Sequence, residues 1–97
     1  MMRAIVFTSN YCPYCRVFER TVEKLRKELD GLVKFDVVNV DENRELAKKY
    51  EVMMVPTVVI TKGDEVVGGF MGYADYKTAR EAILEQISAS PKSDYKN

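Results

Sequence analysis

The chain lacks histidine and tryptophan, and its 97 residues include only two cysteines, three prolines and five glycines. Without histidine, and with two thiols at most, one chain cannot supply the four nitrogen and sulfur ligands that a structural zinc site takes. Two cysteines also exclude a disulfide-rich scaffold, and the low proline and glycine content excludes collagenous and low-complexity chains. The composition is that of an ordinary globular protein.

The sequence has no excess of charge of either sign. Fifteen Lys and Arg residues balance fifteen Asp and Glu residues, so the formal net charge is zero. Proteins that bind nucleic acids or anionic membranes usually carry a basic surplus, and we therefore expect neither partner. The apolar run at residues 4–8 is too short for a signal peptide or a membrane span, which predicts a cytoplasmic protein.

Length and hydrophobic periodicity predict a single α/β domain over residues 1–88. Strand-like runs and amphipathic helical segments alternate in the order βαβαββα, which predicts a four-stranded mixed sheet flanked by three helices. Residues 89–97 have no periodicity and are predicted to be a disordered tail. Strands are predicted at residues 3–7, 32–40, 57–61 and 65–71. The first helix is predicted from Pro13 to about Gly31, and the second from residues 41–43 to Tyr50. The third is predicted to begin at Asp75, which caps it.

Three local features of these elements are also predicted. In the second strand, Val33, Phe35 and Val37 alternate with Lys34 and Asp36, which is typical of a strand. Residues 41–43 offer capping oxygens to the second helix. The glycines at 68–69 weaken the last strand and suggest a β-bulge.

The two cysteines stand in the segment Cys12-Pro13-Tyr14-Cys15, where the first strand gives way to the first helix. This places Cys12 at the helix cap and Pro13 at the first helical position, where its missing N–H group costs nothing. Unpaired backbone N–H groups and the helix dipole stabilise a thiolate at Cys12, which predicts a nucleophile. Cys15 lies nearly one turn further on, shielded but within reach, and is predicted to resolve a mixed disulfide.

Two other interpretations of the cysteine pair remain open at this point. The cysteines can be structural residues that happen to lie three positions apart. They can also be ligands of an iron–sulfur or zinc site, provided that a second chain or a small thiol supplies the remaining ligands.

From residue 3 to about residue 88 the chain resembles the thioredoxin superfamily. Its Cys-Pro-Tyr-Cys sequence is typical of dithiol glutaredoxins. The segment Val55-Pro56-Thr57, with Pro56 44 residues beyond Cys12, and Gly72, 16 residues beyond Pro56, instead resemble the thioredoxin layout. The mixture resembles the small glutaredoxin-like thioredoxins of archaea and some bacteria.

The resemblance implies an enzyme that reduces protein disulfides and needs no cofactor beyond a redox-active disulfide between Cys12 and Cys15. It implies a cis peptide bond before Pro56, disulfide-containing client proteins, and regeneration by an NADPH-dependent thioredoxin reductase or by glutathione; we expect a monomer. Met53 and Met54 are predicted to belong to the core. The predicted substrate-binding residues surround the thiol and are Tyr11, Pro13, Tyr14, Val55, Pro56, Gly72 and Tyr73.

The chain departs from both patterns at defined positions. Glutathione-binding glutaredoxins carry Gly-Gly-x-Asp at the start of their last helix, whereas the glycines at 68–69 are followed by no aspartate until Asp75. Thioredoxins carry a buried aspartate where this chain has Val6, and a nearby lysine where it has Val37. A protein-disulfide reductase is therefore the first prediction, a glutathione-dependent glutaredoxin the second, and a dimeric iron–sulfur-binding module the third.

Overall fold

The computed structural model describes residues 2–88, which form one four-stranded mixed sheet and three helices. The elements are β1 (Met2–Thr8), α1 (Pro13–Glu28), β2 (Val33–Asn39), α2 (Arg44–Lys49), β3 (Thr57–Lys62), β4 (Glu65–Met71) and α3 (Tyr76–Ser88). The predicted α/β class and the order βαβαββα are confirmed. The tail predicted at residues 89–97 lies outside the described residues.

The strand order across the sheet is β2-β1-β3-β4. Strands β1 and β2 are parallel, β3 is antiparallel to β1, and β4 is antiparallel to β3. Strand β1 is an interior strand, and α1 follows it. The cysteine segment therefore lies in the middle of the sheet, at the carboxyl end of β1. Ligand sites of α/β sheets are commonly built at this end of the strands.

The sheet buries apolar side chains on both faces. The main core lies between the sheet and helices α1 and α3, whereas a smaller cluster built on Ile5, Phe7 and Val59 lies beneath α2. Helix α2 has only six residues, so it is about 9 Å long and covers β1 and β3 without reaching over β4. None of the helices within residues 2–88 has the length and hydrophobicity needed to cross a bilayer.

Helix α1 follows from the spacing of its apolar residues. Phe18, Val22 and Leu25 are buried on one side, and the helix ends in a turn that contains Gly31 with φ of 87°. Glycine is suited to this turn because a side chain strains a left-handed residue. The turn brings the chain back beneath the helix into β2, which makes β2 parallel to β1.

Helix α3 begins with the predicted aspartate cap. The backbone N–H of Thr78 donates to Asp75 Oδ1 at 2.9 Å, and this hydrogen bond holds the pKa of the Asp75 carboxyl below its ordinary value. On the outer side of the domain, Glu28 of α1 accepts hydrogen bonds from Tyr76 and Arg80 of α3. These two bonds lower the pKa of Glu28 and join the two helices at the end away from the cysteines.

Val33 and Phe35 of β2 are buried, whereas Val37, further along the strand, is 46% exposed. One of the local predictions is wrong. Asn43 is the N-cap residue of α2, but its side chain makes no capping bond and instead donates to the carbonyl oxygen of Asn39 at 3.2 Å.

The bulge in β4 is present, one residue before the glycines. The β3–β4 register shifts between Ile60 and Thr61, which pair with Gly68 and Val66, so Val67 is the extra residue. The predicted irregularity of the last strand is therefore confirmed.

Candidate active site

Cys12 and Cys15 lie at the start of α1 and are joined by a disulfide bond, with their Cα atoms 5.2 Å apart. Cys12 is the N-cap residue, and the backbone N–H of Cys15 donates to its sulfur at 3.1 Å. Pro13 occupies the first turn of the helix. The structure thus places all three residues where the sequence predicts them.

The two sulfurs differ in their access to solvent. Cys12 is partly exposed, whereas Cys15 is 0% exposed because it faces inward, one turn ahead of the buried Phe18. An incoming disulfide can therefore reach Cys12 but not Cys15. The geometry of one helical turn produces this difference.

The start of α1 favours negative charge at Cys12 in the reduced protein. A helix of 16 residues directs the positive end of its dipole toward the cap, and its first turn carries no acidic residue. The Cys15 N–H is already directed at the Cys12 sulfur. These features are the ones that activate a thiol as a nucleophile.

The loop before β3 forms a second side of the site. The Val55–Pro56 bond is cis, as the resemblance implies, and the carbonyl oxygen of Val55 lies 3.8 Å from Cys12 Sγ. The backbone N–H of Gly72 donates to the carbonyl oxygen of Pro56 at 2.7 Å. Val55, which is distant from the cysteines in sequence, therefore lies next to Cys12, and the bond between Gly72 and Pro56 fixes the backbone behind it.

Exposed tyrosines surround the disulfide. Tyr11 is 89% exposed, and the rings of Tyr14 and Tyr73 pack against each other with centroids 5.9 Å apart. Tyr73 also meets the ring of Phe18 edge-on at 6.4 Å, which anchors it on the core. Tyr14 and Tyr73 are thus brought together, whereas Pro56 is fully buried and presents no side-chain surface to a substrate. Contact of the predicted substrate-binding residues with substrate stays a prediction.

The prediction that Met53 and Met54 belong to the core is wrong. They are 83% and 51% exposed in the loop that leads to Pro56. Apolar character suggests burial, but this loop lies at the open end of the sheet, and the Thr57 hydroxyl fixes it by donating to the Met54 carbonyl oxygen at 2.7 Å. The position of both residues directly before the Val55–Pro56 pair is the signal that could have assigned them to the site.

Polar side chains hold the segment before Cys12 against the end of β2. The Ser9 hydroxyl donates to Asp41 at 2.8 Å, and the Asn39 amide donates to Asn10 Oδ1 at 2.9 Å. The Tyr11 N–H reaches Ser9 Oγ at 3.4 Å. Sequence reasoning missed this group because only the parallel pairing of β1 and β2 brings its two halves together.

The interior behind Cys15 offers no base from a side chain. Val6 is 0% exposed and pairs in the sheet with Val37. Within residues 2–88, the only buried polar side chains other than cysteine are the threonines Thr8, Thr57 and Thr61, which do not titrate. Nor does this part of the chain contain a group of three or more Cys, Asp or Glu side chains placed to hold a metal ion.

Comparisons with known proteins agree with this geometry. The family model described as Thioredoxin matches residues 2–88. Thioredoxin of Methanocaldococcus jannaschii is 35% identical over 82 residues, which are 84% of this chain and 87% of that protein. Thioredoxin of Bacillus subtilis is 32% identical over 81 residues, which are 84% and 78% of the two chains.

Solved structures give the same result. The X-ray structure of Fasciola hepatica thioredoxin superposes with a TM-score of 0.80 at 37% identity, covering 87% of this chain and 79% of the other. A mutant thioredoxin from Halobacterium salinarum superposes with a TM-score of 0.83 at 29% identity, covering 93% and 78%. With its cysteine pair in a disulfide at the start of α1, the chain is a thiol–disulfide oxidoreductase that belongs to the thioredoxin family.

Proposed function

We propose that this protein reduces the disulfides of cytoplasmic client proteins as a monomer, with Cys12 as the nucleophile and Cys15 as the resolving thiol. The unequal access of the two sulfurs carries the assignment of roles. Cys12 is partly exposed at a helix cap, and Cys15 is fully buried one turn behind it. A client disulfide that approaches the surface meets Cys12 first.

The reaction is an exchange of two disulfide bonds. The Cys12 thiolate attacks one sulfur of the client disulfide, which forms a mixed disulfide and releases one client thiolate. Cys15 then loses its proton and attacks the Cys12 sulfur, forming the Cys12–Cys15 bond and releasing the second client thiolate. The client gains two electrons and two protons, and the enzyme is left oxidised.

The backbone around Val55 is suited to hold the client during this exchange. An extended segment can pair with the Val55 carbonyl and N–H groups by β-augmentation, next to the Cys12 sulfur. Gly72 leaves room for it, because no atom lies within 4 Å of the position that a Cβ atom would take there. Tyr11, Tyr14 and Tyr73 are the proposed walls of this site, together with the exposed Pro13. Pro56 is fully buried, so its proposed part is to set the direction of the Val55 backbone through the cis bond.

An NADPH-dependent thioredoxin reductase is the proposed electron donor. The second candidate is glutathione, which the Cys-Pro-Tyr-Cys sequence favours. Against glutathione, the glycine pair 68–69 lies within β4 rather than at the start of α3, which begins at Tyr76. Asp75, the first aspartate after these glycines, already binds the Thr78 N–H as a helix cap.

The test is a set of parallel reduction assays with insulin as the protein disulfide. Turnover is measured with NADPH and thioredoxin reductase, with glutathione and glutathione reductase, and with dithiothreitol as a donor common to both. We expect efficient turnover with the reductase and with dithiothreitol, and little with glutathione. Saturable turnover with glutathione alone would establish the second candidate instead.

The roles of the cysteines are tested with single variants. Cys12→Ser abolishes insulin reduction, whereas Cys15→Ser attacks the client and accumulates the mixed disulfide, which mass spectrometry detects. Turnover by Cys12→Ser, or the absence of any trapped client with Cys15→Ser, would show that the roles are assigned wrongly.

A further inference from the structure

A groove runs along β4 on the face of the sheet that α2 leaves uncovered. Two apolar side chains stand at its ends, with Met71 65% exposed and Val66 53% exposed. We call this surface the β4 groove. Its floor comes from strands β3 and β4 and its wall from the end of α2, and its lining includes Lys49, Tyr50, Glu51, Thr57, Val59 and Gly69.

Gly69 keeps the middle of the β4 groove bare. Its φ is 143°, and a Cβ atom at this position would lie 2.2 Å from the carbonyl oxygen of Val58. No larger residue fits without displacing the backbone of β3. Because α2 ends before it can cover β4, this bare backbone stays open to solvent.

One end of the β4 groove is continuous with the active site. Met71 pairs in the sheet with Thr57, the residue after Pro56, and the next residue, Gly72, donates to the Pro56 carbonyl at 2.7 Å. From Met71 to Val66 the strand extends about 17 Å, the length of roughly five extended residues. A client chain that passes Gly72 on its way from the Cys12 sulfur meets Met71 and then the groove.

The lining of the β4 groove selects by shape and hydrophobicity rather than by charge. The floor residues Thr57, Val59 and Gly69 are uncharged, and the wall carries one lysine, Lys49, and one glutamate, Glu51. Opposite charges of equal number leave no net attraction for an acidic or a basic segment. Such a surface binds a segment mainly by burying the segment's apolar side chains.

We infer that the β4 groove binds an extended, uncharged and largely apolar segment of the client, about five residues long, that adjoins the disulfide being reduced. The inference rests on the proposed function and names its substrate class: proteins whose reducible disulfide lies beside such a segment. Such a client is held at two places, at the Cys12 sulfur and along β4.

The test compares two disulfide-bonded peptides that differ only in the arms flanking the cystine. One has arms of alternating valine and serine, and the other has arms of alternating glycine and serine. Single-turnover reduction by the pre-reduced protein gives a rate for each at limiting peptide. We expect the valine peptide to react about tenfold faster, because its arms bury apolar surface in the groove.

Substitutions at Val66 and Leu32 test whether the preference for the valine peptide arises in the β4 groove. Val66→Lys places a charge at the end of the groove far from Cys12, and we expect it to bring the ratio of the two rates close to one. Leu32→Lys is the matched control, since Leu32 is 55% exposed and precedes β2, the strand at the opposite edge of the sheet from β4. We expect it to keep the ratio. Val66→Ser is a milder change that replaces the lysine variant in the assay if that variant does not fold.

The outcomes separate this inference from the proposed function. Equal rates for the two peptides, or a preference that survives both Val66 variants, would overturn the role of the groove while leaving the reductase activity intact. A dimer that forms at assay concentrations and is abolished by Val66→Lys would overturn it too, because a second copy would then occupy the groove. Failure to reduce either peptide would contradict the proposed function itself.

Discussion

Replacing Val6 by aspartate tests how the buried Cys15 thiol loses its proton. Val6 and Cys15 are both 0% exposed, and both lie on the side of the sheet that α1 covers. Apart from the cysteine itself, no buried side chain within residues 2–88 titrates. The proton of Cys15 must therefore go to water or to the departing client thiolate. A carboxylate at position 6 would accept it, and we expect Val6→Asp to release the mixed disulfide faster than the natural protein.

The cost of this substitution follows from the burial of Val6. Losing a fully buried valine side chain costs about 1.5 to 3 kcal/mol, and burying a polar group without a partner costs about 1 to 3 kcal/mol more. The sum of about 2.5 to 6 kcal/mol is a large part of the roughly 5 to 15 kcal/mol that stabilises a typical domain. Guanidinium unfolding therefore has to establish first that the variant is folded.

The increase in the release rate of Val6→Asp should depend on pH. Burial raises the pKa of a carboxyl above its ordinary value of about 3.9, because the charged form loses its hydration. Below the raised pKa the introduced group is protonated and cannot act as a base. The release rate of Val6→Asp should thus rise with pH through a step that the natural protein lacks.

The assay follows release of a fluorescent client from the preformed mixed disulfide by stopped flow, at several pH values. Val6→Asn is the control, because it has nearly the same shape and polarity but no carboxylate to accept the proton. If folded Val6→Asp releases the client no faster than Val6→Asn at any pH up to about 9, proton removal from Cys15 does not limit resolution, and the reasoning is refuted.

Three further predictions concern the thiol and the backbone. In the reduced protein, the alkylation rate of Cys12 with iodoacetamide should show a titration below about pH 7.5, and a titration at or above about 8.5 would remove the argument from the helix cap. Gly69→Ala should lower the urea midpoint of unfolding far more than Gly63→Ala. Both glycines have positive φ, but a Cβ atom at Gly69 would meet the backbone of Val58, whereas one at Gly63 would have no atom within 4 Å. Equal decreases in the urea midpoint would contradict the close approach of Gly69 to β3. The Thr78 N–H lowers the pKa of Asp75, so the stabilisation is complete above the ordinary value near 4 and is lost as pH falls through the lowered value. The difference in melting temperature between the natural protein and Asp75→Asn should therefore shrink below about pH 4, and a constant difference would show that the cap does not act through its charge.

Local features of the chain were predictable because they depend on neighbours in sequence. The apolar spacing in α1, the proline in its first turn and the aspartate before α3 each act within one or two turns of a helix. The same locality places Cys12 at a cap and Cys15 on the buried side, since three residues make nearly one turn. Even the irregularity of β4 was visible in its glycine pair.

The order of the elements and the chemistry of the cysteine pair thus follow from residues that are close together in the chain. The surroundings of that pair depend instead on contacts between distant segments. The Val55 carbonyl lies beside Cys12, and Gly72 is bonded to Pro56, only because β3 and β4 are added beside β1. Met53 is exposed because nothing within residues 2–88 packs over its loop. The β4 groove likewise exists because α2 is too short to cover the fourth strand. Exposure depends on which distant segment covers a residue, and hydrophobic periodicity carries no information about that.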